Sequence, residues 1–446
     1  MEGDSKVSEQ ARNGAKYVKE FFEKARDKTF TVERIINQGS WGFTLQMMMK
    51  STGESDETSE AYSLASLGEA RGLQPLPSLP EVAPPGPSRT ERPKKRAKTA
   101  RFVMKRSLAE VGEKNITTEI DALDRLRGCM HIAQPSRVLN STRWNRVIRP
   151  LKGPTLLMEW IENGLLWDFY EKRSEFDEPL PNRLLWSLFL CLCRIVVGLT
   201  WPPRDLGKQG RGKPTLEAIP PLNAKGERPP KSRLLHGDFH GQNIMIDKLE
   251  PLEHKSVPLL KLIDFGMSRD LPVRANEQQG IVVKTNIRAI GEVMLGLLRG
   301  NVSGGPGMMD ITYNGQPKRI NSYATDLDKL SNKYKAPALI VAKHQDRIDN
   351  LDPEIRSLVA ACLAVRIEDR PDIEDLLDTV ERNAKNKTVE DYRGYKYPDN
   401  ETDAAIKKVV EETMFNVQGH NIPSLGLPPP RGQGVLASPF KPTGYM

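Results

Sequence analysis

Cysteine is scarce in this chain, with four among 446 residues. Cys129, Cys191, Cys193 and Cys362 lack the spacing of zinc ligands, and Cys191 and Cys193, two apart in a helical stretch, point to different faces. A zinc module is excluded, and a reducing, intracellular setting is expected. Long apolar runs are also few. Leu184 to Leu199 has the length of a helix but is too short for a membrane span and carries Arg194, so it is read as a buried core helix and no membrane span is expected. The charged, polar start gives no sign of a signal peptide. Acidic residues fall short of basic ones, 58 against 66, and the net charge of +8 mildly favours acidic partners. A hydrophobic content of 38% with a mean hydropathy of −0.51 fits a soluble protein that carries some disordered sequence.

The disordered part is easy to place. Ser51 to Ala100 is rich in Ser, Glu, Pro and Gly and reads as an excursion between two strands. It ends in Arg92-Pro93-Lys94-Lys95-Arg96-Ala97-Lys98, a basic run with the look of a nuclear localisation signal, so a cytoplasmic or nuclear location, or both, is expected. No aromatic residues interleave with that charge, and nucleic acid is not an expected partner. Trp201 to Ser232, rich in Pro, Gly, Lys and Arg, is a second insert. Val7 to Phe22 is predicted as an N-terminal helix. After Arg382 the chain turns polar, with one candidate helix at Asp403 to Met414 and a Pro- and Gly-rich end from Pro423.

Two carboxylates and one carboxamide carry the chemistry. They lie in Leu235-His236-Gly237-Asp238-Phe239-His240-Gly241-Gln242-Asn243 and in Ile263-Asp264-Phe265-Gly266. Apolar runs flank the first segment, Arg233-Leu234-Leu235 before it and Ile244-Met245-Ile246 after it, and a third run from Leu259 delivers Asp264 from a hairpin partner. Asp238 can orient and deprotonate a hydroxyl, while Asn243 and Asp264 can hold magnesium against the phosphates of a nucleotide.

This pattern resembles the catalytic core of protein kinases, and further segments follow the same order. Val32 to Gly42 (VERIINQGSWG) is similar to a glycine-rich loop, with Gly39 and Gly42 at its second and third glycine positions, although an ordinary hairpin uses the same residues. Arg101-Phe102-Val103-Met104-Lys105 resembles the strand whose lysine touches the α- and β-phosphates. Glu119 stands where the glutamate that pairs with this lysine belongs, in a stretch where Ile120, Leu123 and Leu126 share a helical face. Thr155 to Leu166 resembles the fifth strand and hinge. Met158 is then the gatekeeper, and the backbone of Glu159 and Ile161 bonds the adenine edge; a plain strand followed by a helix satisfies the same residues. Thr285 to Leu295 looks like the buried F-helix, and Cys362 to Pro371 like the end-of-domain pattern with its Arg-Pro pair.

The departures bear on substrate and control. Asn37 replaces the first loop glycine. Gly237 replaces the arginine that binds an activation-loop phosphate in regulated kinases, which implies constitutive activity or control from outside the site. The segment from Asp264 to Asn286 is short and lacks an Ala-Pro-Glu motif, leaving Arg370 without its family partner. Asn286 stands in for an F-helix aspartate. His240 stands near where Ser/Thr kinases carry a lysine on the transferring phosphate, and either steadies phosphate when protonated or simply packs. HGDFHGQN is similar to the HGDxHxxN loop of aminoglycoside and choline-type small-molecule kinases.

The resemblance therefore implies an α+β, two-lobed protein kinase-like fold. Its small lobe is an antiparallel β-sheet plus a C-helix, and its large lobe is mostly α-helical. The expected division is a helical extension at 1–29, a small lobe at 30–162 with the insert at about 51–100, a large lobe at 163–385 with the insert at about 201–232, and a largely flexible tail at 386–446. The implied activity is ATP- and Mg2+-dependent phosphotransfer to Ser/Thr hydroxyls of proteins, with a small-molecule acceptor or an inactive binding module as alternatives. Asp238, Lys105 and Glu119 are the implied catalytic residues. Gly39, Gly42, Lys105, Glu159 and Ile161 bind nucleotide, and Asn243 and Asp264 bind the metal.

Overall fold

Alternating apolar residues build the largest sheet. Strands β1 (Phe30–Gln38), β2 (Gly42–Lys50), β3 (Thr99–Ser107) and β4 (Thr155–Glu159) pair antiparallel in that order. The computed structural model describes residues 2–25, 29–38, 42–50, 99–107, 110–136, 148, 151–174, 178–203, 214–272, 280–299, 305–328 and 345–415. Gly39, the insert up to residue 98 with its basic run Arg92 to Lys98, and the end from Pro423 lie outside these residues. The insert gives way to strand at Thr99, two residues earlier than expected.

The period-two alternation gives the sheet two buried faces. Phe43, Leu45, Met47, Phe102, Met104 and Leu157 share one face, which α1 (Glu2–Lys24) covers with Ala11, Ala15, Val18 and Phe22 at helical spacing. Phe30 joins the two layers, 6.2 Å between ring centroids from both Phe22 and Phe102. Burying Val18 and Phe22 contributes about 1.5–3 kcal/mol each, so the helix is held by its apolar stripe. On the opposite face Val103, Leu156 and Met158 meet α2 (Glu110–Arg125), whose Ile116 and Leu123 belong to the main core.

That core centres on α4 (Asn182–Thr200), which follows α3 (Leu166–Ser174) and buries every residue except Arg183. It is the one described helix long and apolar enough to cross a membrane, and its near-complete burial makes it a core helix. Around it lie β5 (Leu234–Leu235), the hairpin β6 (Ile244–Glu250) and β7 (His254–Leu262), β8 (Arg269–Asp270) and α5 (Ile281–Arg299). A second hairpin, β9 (Gly307–Tyr313) and β10 (Gln316–Ser322), precedes α6 (Pro353–Cys362), α7 (Ile373–Asn386) and α8 (Asp403–Thr413). The architecture is thus mixed α/β with small antiparallel sheets.

One expectation is corrected. The chain after residue 386 is not a flexible tail as far as Phe415. Tyr392 is buried and donates to Asp352 at 2.8 Å, and the fully buried Glu401 accepts from Asn182 N and Arg183 N, closing the N-terminus of α4 where Pro181 offers no side-chain cap. The described part of the second insert is built into the body: Thr215 bridges Cys129, and buried Glu217 accepts from His131 N at 2.8 Å. Residues 204–213 of that insert lie outside the described set.

Candidate active site

The hairpin β6–β7 sets the spacing of the acidic groups. Ile244 pairs with Leu262, and Asn243 O accepts from Ile263 N at 2.9 Å, so Asn243 and Asp264 sit at adjacent strand ends. Asp264 holds a left-handed backbone, φ 61°, and its side chain accepts from Gly266 N. His236 fastens the preceding loop to this hairpin. Its Nε2 donates to Ile263 O at 3.1 Å, its Nδ1 accepts from Asp238 N at 3.3 Å, and its ring meets Phe265 edge-on. Burial disfavours the imidazolium and pushes His236 down to about 4, in keeping with a neutral ring that donates on one side and accepts on the other.

Lys105 arrives from β3, across the sheet from Thr44 and Leu156. Its amine lies 2.7 Å from Glu119 Oε2 and 2.7 Å from Asp264 Oδ1. Glu119 is fully buried and also accepts from Phe265 N at 3.3 Å, so α2, β3 and the turn after β7 meet at one amine. Burial works against the lysine charge, but the two carboxylates outweigh it and hold the amine above its ordinary range. A bidentate contact from Arg125 to Asp270, 2.9 and 3.1 Å, anchors the far end of α2 to β8.

Asp238 is gripped on both oxygens. Asn243 Nδ2 donates to its Oδ2 at 2.9 Å and to its backbone carbonyl at 2.8 Å, and His240 Nε2 lies 3.2 Å from Oδ1. The hydrogen bond from His240 lowers the Asp238 pKa against the opposing effect of burial. Gly237 makes this loop possible: its φ is +84°, and a Cβ there would lie 2.4 Å from Met267 O. Asn286 donates to Leu234 O at 3.1 Å, just ahead of the loop, while Arg370 reaches the carbonyls of Ala364 and Lys284.

Asp238, Asn243, Asp264, Lys105 and Glu119 are therefore brought into one linked arrangement. Gly42 opens β2 opposite Ser107, where a Cβ would lie 2.4 Å from Arg106 O, so close strand approach already demands glycine there. Glu159 departs from its expected role in one respect. Its amide bonds Gln134 O, which removes that N–H from an adenine edge, and its carboxylate takes buried Lys261 at 2.7 Å. Ile161 is buried just beyond it. Lys261, which also contacts Asp247 at 3.1 Å, went unread in the sequence, although a charge inside the apolar run Leu259-Leu260-Lys261-Leu262 was a usable signal. Among the described residues, no group of three or more His, Cys, Asp or Glu side chains is arranged to hold a metal ion. No family model and no curated protein matches the chain.

Proposed function

We propose that this chain is an ATP- and magnesium-dependent phosphotransferase of protein kinase-like architecture, acting on Ser/Thr hydroxyls of proteins. In this reading the four-stranded sheet with α2 is the small lobe, and the body around α4 is the large one. The observation that carries it is the Lys105 amine, held at 2.7 Å by a buried carboxylate from α2 and at 2.7 Å by the more exposed Asp264. An amine fixed in this way, beside oxygen-bearing groups at a loop end, suits the α- and β-phosphates of a nucleotide. Asn243 turns its amide nitrogen to Asp238, which leaves Oδ1 for a cation. Oxygen donors from Asn243 and Asp264 fit magnesium, which takes few protein ligands and completes its octahedron from phosphates and water. When bound, the ion neutralises charge on the phosphates.

Asp238 aligns the acceptor hydroxyl. The acceptor oxygen bonds to the γ-phosphorus, the bond from phosphorus to the bridging oxygen breaks, and ADP leaves with that electron pair. The hydroxyl proton passes to Asp238 and then to solvent. Most of the catalysis is positioning and charge neutralisation. Replacing Asp238 with Asn is expected to lower magnesium-dependent ATP turnover by at least about a hundredfold while the thermal shift on adding nucleotide persists. Equal turnover in the two proteins would refute the assignment.

A second reading, a small-molecule hydroxyl acceptor, draws on Gly237, whose geometry leaves no room for the phosphate-binding arginine of regulated protein kinases. Labelled phosphate from ATP recovered in added protein, or only in low-mass compounds, separates the two. Nucleotide binding without any turnover would favour a binding module instead.

A further inference from the structure

His240 lies in the catalytic loop, yet its contacts differ from those of a phosphate ligand. It caps the single 3-10 turn Gly241–Asn243, its Nδ1 accepting from Gln242 N at 3.2 Å. A ring nitrogen that accepts carries no proton, so the neutral imidazole bears its hydrogen on Nε2. That nitrogen lies 3.2 Å from Asp238 Oδ1, nearer than the 3.4 Å to Asn243 Nδ2. The backbone thus selects the tautomer, and the tautomer supplies a donor to the carboxylate. Asn243 Nδ2 supplies the other donor, to Oδ2. The further charge-bearing neighbour of this carboxylate, His236, is held neutral by burial.

We propose that His240 is a positioning residue for Asp238: together with Asn243 it clamps both carboxylate oxygens, and it is not a contact of the transferring phosphate. The inference rests on the phosphotransfer reading. Each carboxylate oxygen has two lone pairs, so the clamp leaves a second pair on each for the acceptor hydroxyl. A carboxylate fixed at both ends presents those pairs in one direction. Both side chains are nearly half exposed, 46% for Asp238 and 45% for His240, so the clamp borders the space an acceptor must enter.

The test uses the full chain and turnover of magnesium-ATP to ADP with no added acceptor. H240A is expected to lower kcat about ten- to a hundredfold at unchanged KM for ATP. H240Q, whose amide can accept from Gln242 N and donate to Asp238, is expected to recover most of that loss. Wild-type kcat in H240A, or a raised KM with kcat retained, would overturn the proposal. A second measurement does not depend on turnover: nitrogen NMR of labelled histidines should show the Nε2–H tautomer at His240, with a resonance that moves in D238N. A proton on Nδ1 overturns the contact. Absence of ATP turnover in the wild type, with the Nε2–H tautomer present, would reject the phosphotransfer reading and leave the His240–Asp238 contact standing.

Discussion

At the scale of single residues, Gly237 shows how a local departure acquires a reason only in three dimensions. The sequence marks it as a missing arginine, and the fold explains why: a left-handed φ of +84° and the Met267 carbonyl 2.4 Å from any Cβ. Gly237→Ala is expected to lose about 1–2 kcal/mol from the backbone conformation alone, with more from displacing the turn after Asp264. Urea unfolding measures the first effect and ATP turnover the second; a fully active, equally stable G237A would contradict the geometry. Asp238, Asn243 and Asp264 were legible because their spacing is set by one loop and one hairpin, both local in sequence. The Lys105–Glu119 contact was legible only through resemblance, since nothing in either residue's neighbours announces the other. His131 and Glu217 escaped notice altogether, because a lone His in a loop and a lone Glu in a Pro-rich stretch carry no periodic signal.

At the scale of elements, the apolar periodicity located the helices but not all their ends, Glu2–Lys24 standing where Val7 to Phe22 was expected, and the ties between elements did not show. The candidate helix at Asp403 to Met414 is α8, Asp403–Thr413, and the apolar run became α4. Glu401, by contrast, looks like any polar surface residue, yet it caps a helix far upstream with charge-assisted bonds at 2.6 and 3.0 Å. Glu401→Ala is expected to cost about 1–3 kcal/mol in denaturant unfolding, with E401Q losing less, because a buried N-terminus is left with unpaired amides. The Arg125–Asp270 pair is a different kind of tie. Both partners are over 40% exposed, so the pair contributes little to global stability, about 0–1 kcal/mol. Its effect is expected on the position of Glu119: R125A should lower ATP turnover with the melting temperature nearly unchanged, and the charge swap R125D/D270R should restore part of it. A parallel loss of melting temperature and activity would mean that the pair serves folding instead.

At the scale of the whole molecule, a buried charge cluster joins parts that the sequence keeps far apart. Cys191 of α4 lies 3.2 Å from His254 Nε2 at the start of β7, and His131 bonds Glu217 at 2.7 Å on its other side. Burial alone would push the thiol up, but His254 and His131 bring Cys191 down to about 6; burial would push His131 down, but Glu217 and Cys191 raise it to about 10. The signs set a window. The lowered thiol contributes stability that is full above its ordinary value of 9.0 and is lost as pH falls through 6. The raised imidazole contributes stability that is full below 6.5 and is lost as pH rises through 10. Between pH 6.5 and 9 the two slopes oppose each other, so melting temperature is expected to stay nearly flat there, and C191A, which leaves the loss from His131 unopposed, should make it fall as pH rises across that range. A profile as flat in C191A as in the wild type would remove Cys191 from the cause. The remote cap on α4 also has a consequence for biosynthesis. Asn182 and Glu401 are 219 positions apart, so a ribosome adding roughly 5–20 residues per second needs about 10–40 s between them. Throughout that interval the central helix of the nascent polypeptide stands without its lid, and chaperone capture is to be sought on ribosome-bound intermediates arrested before codon 401.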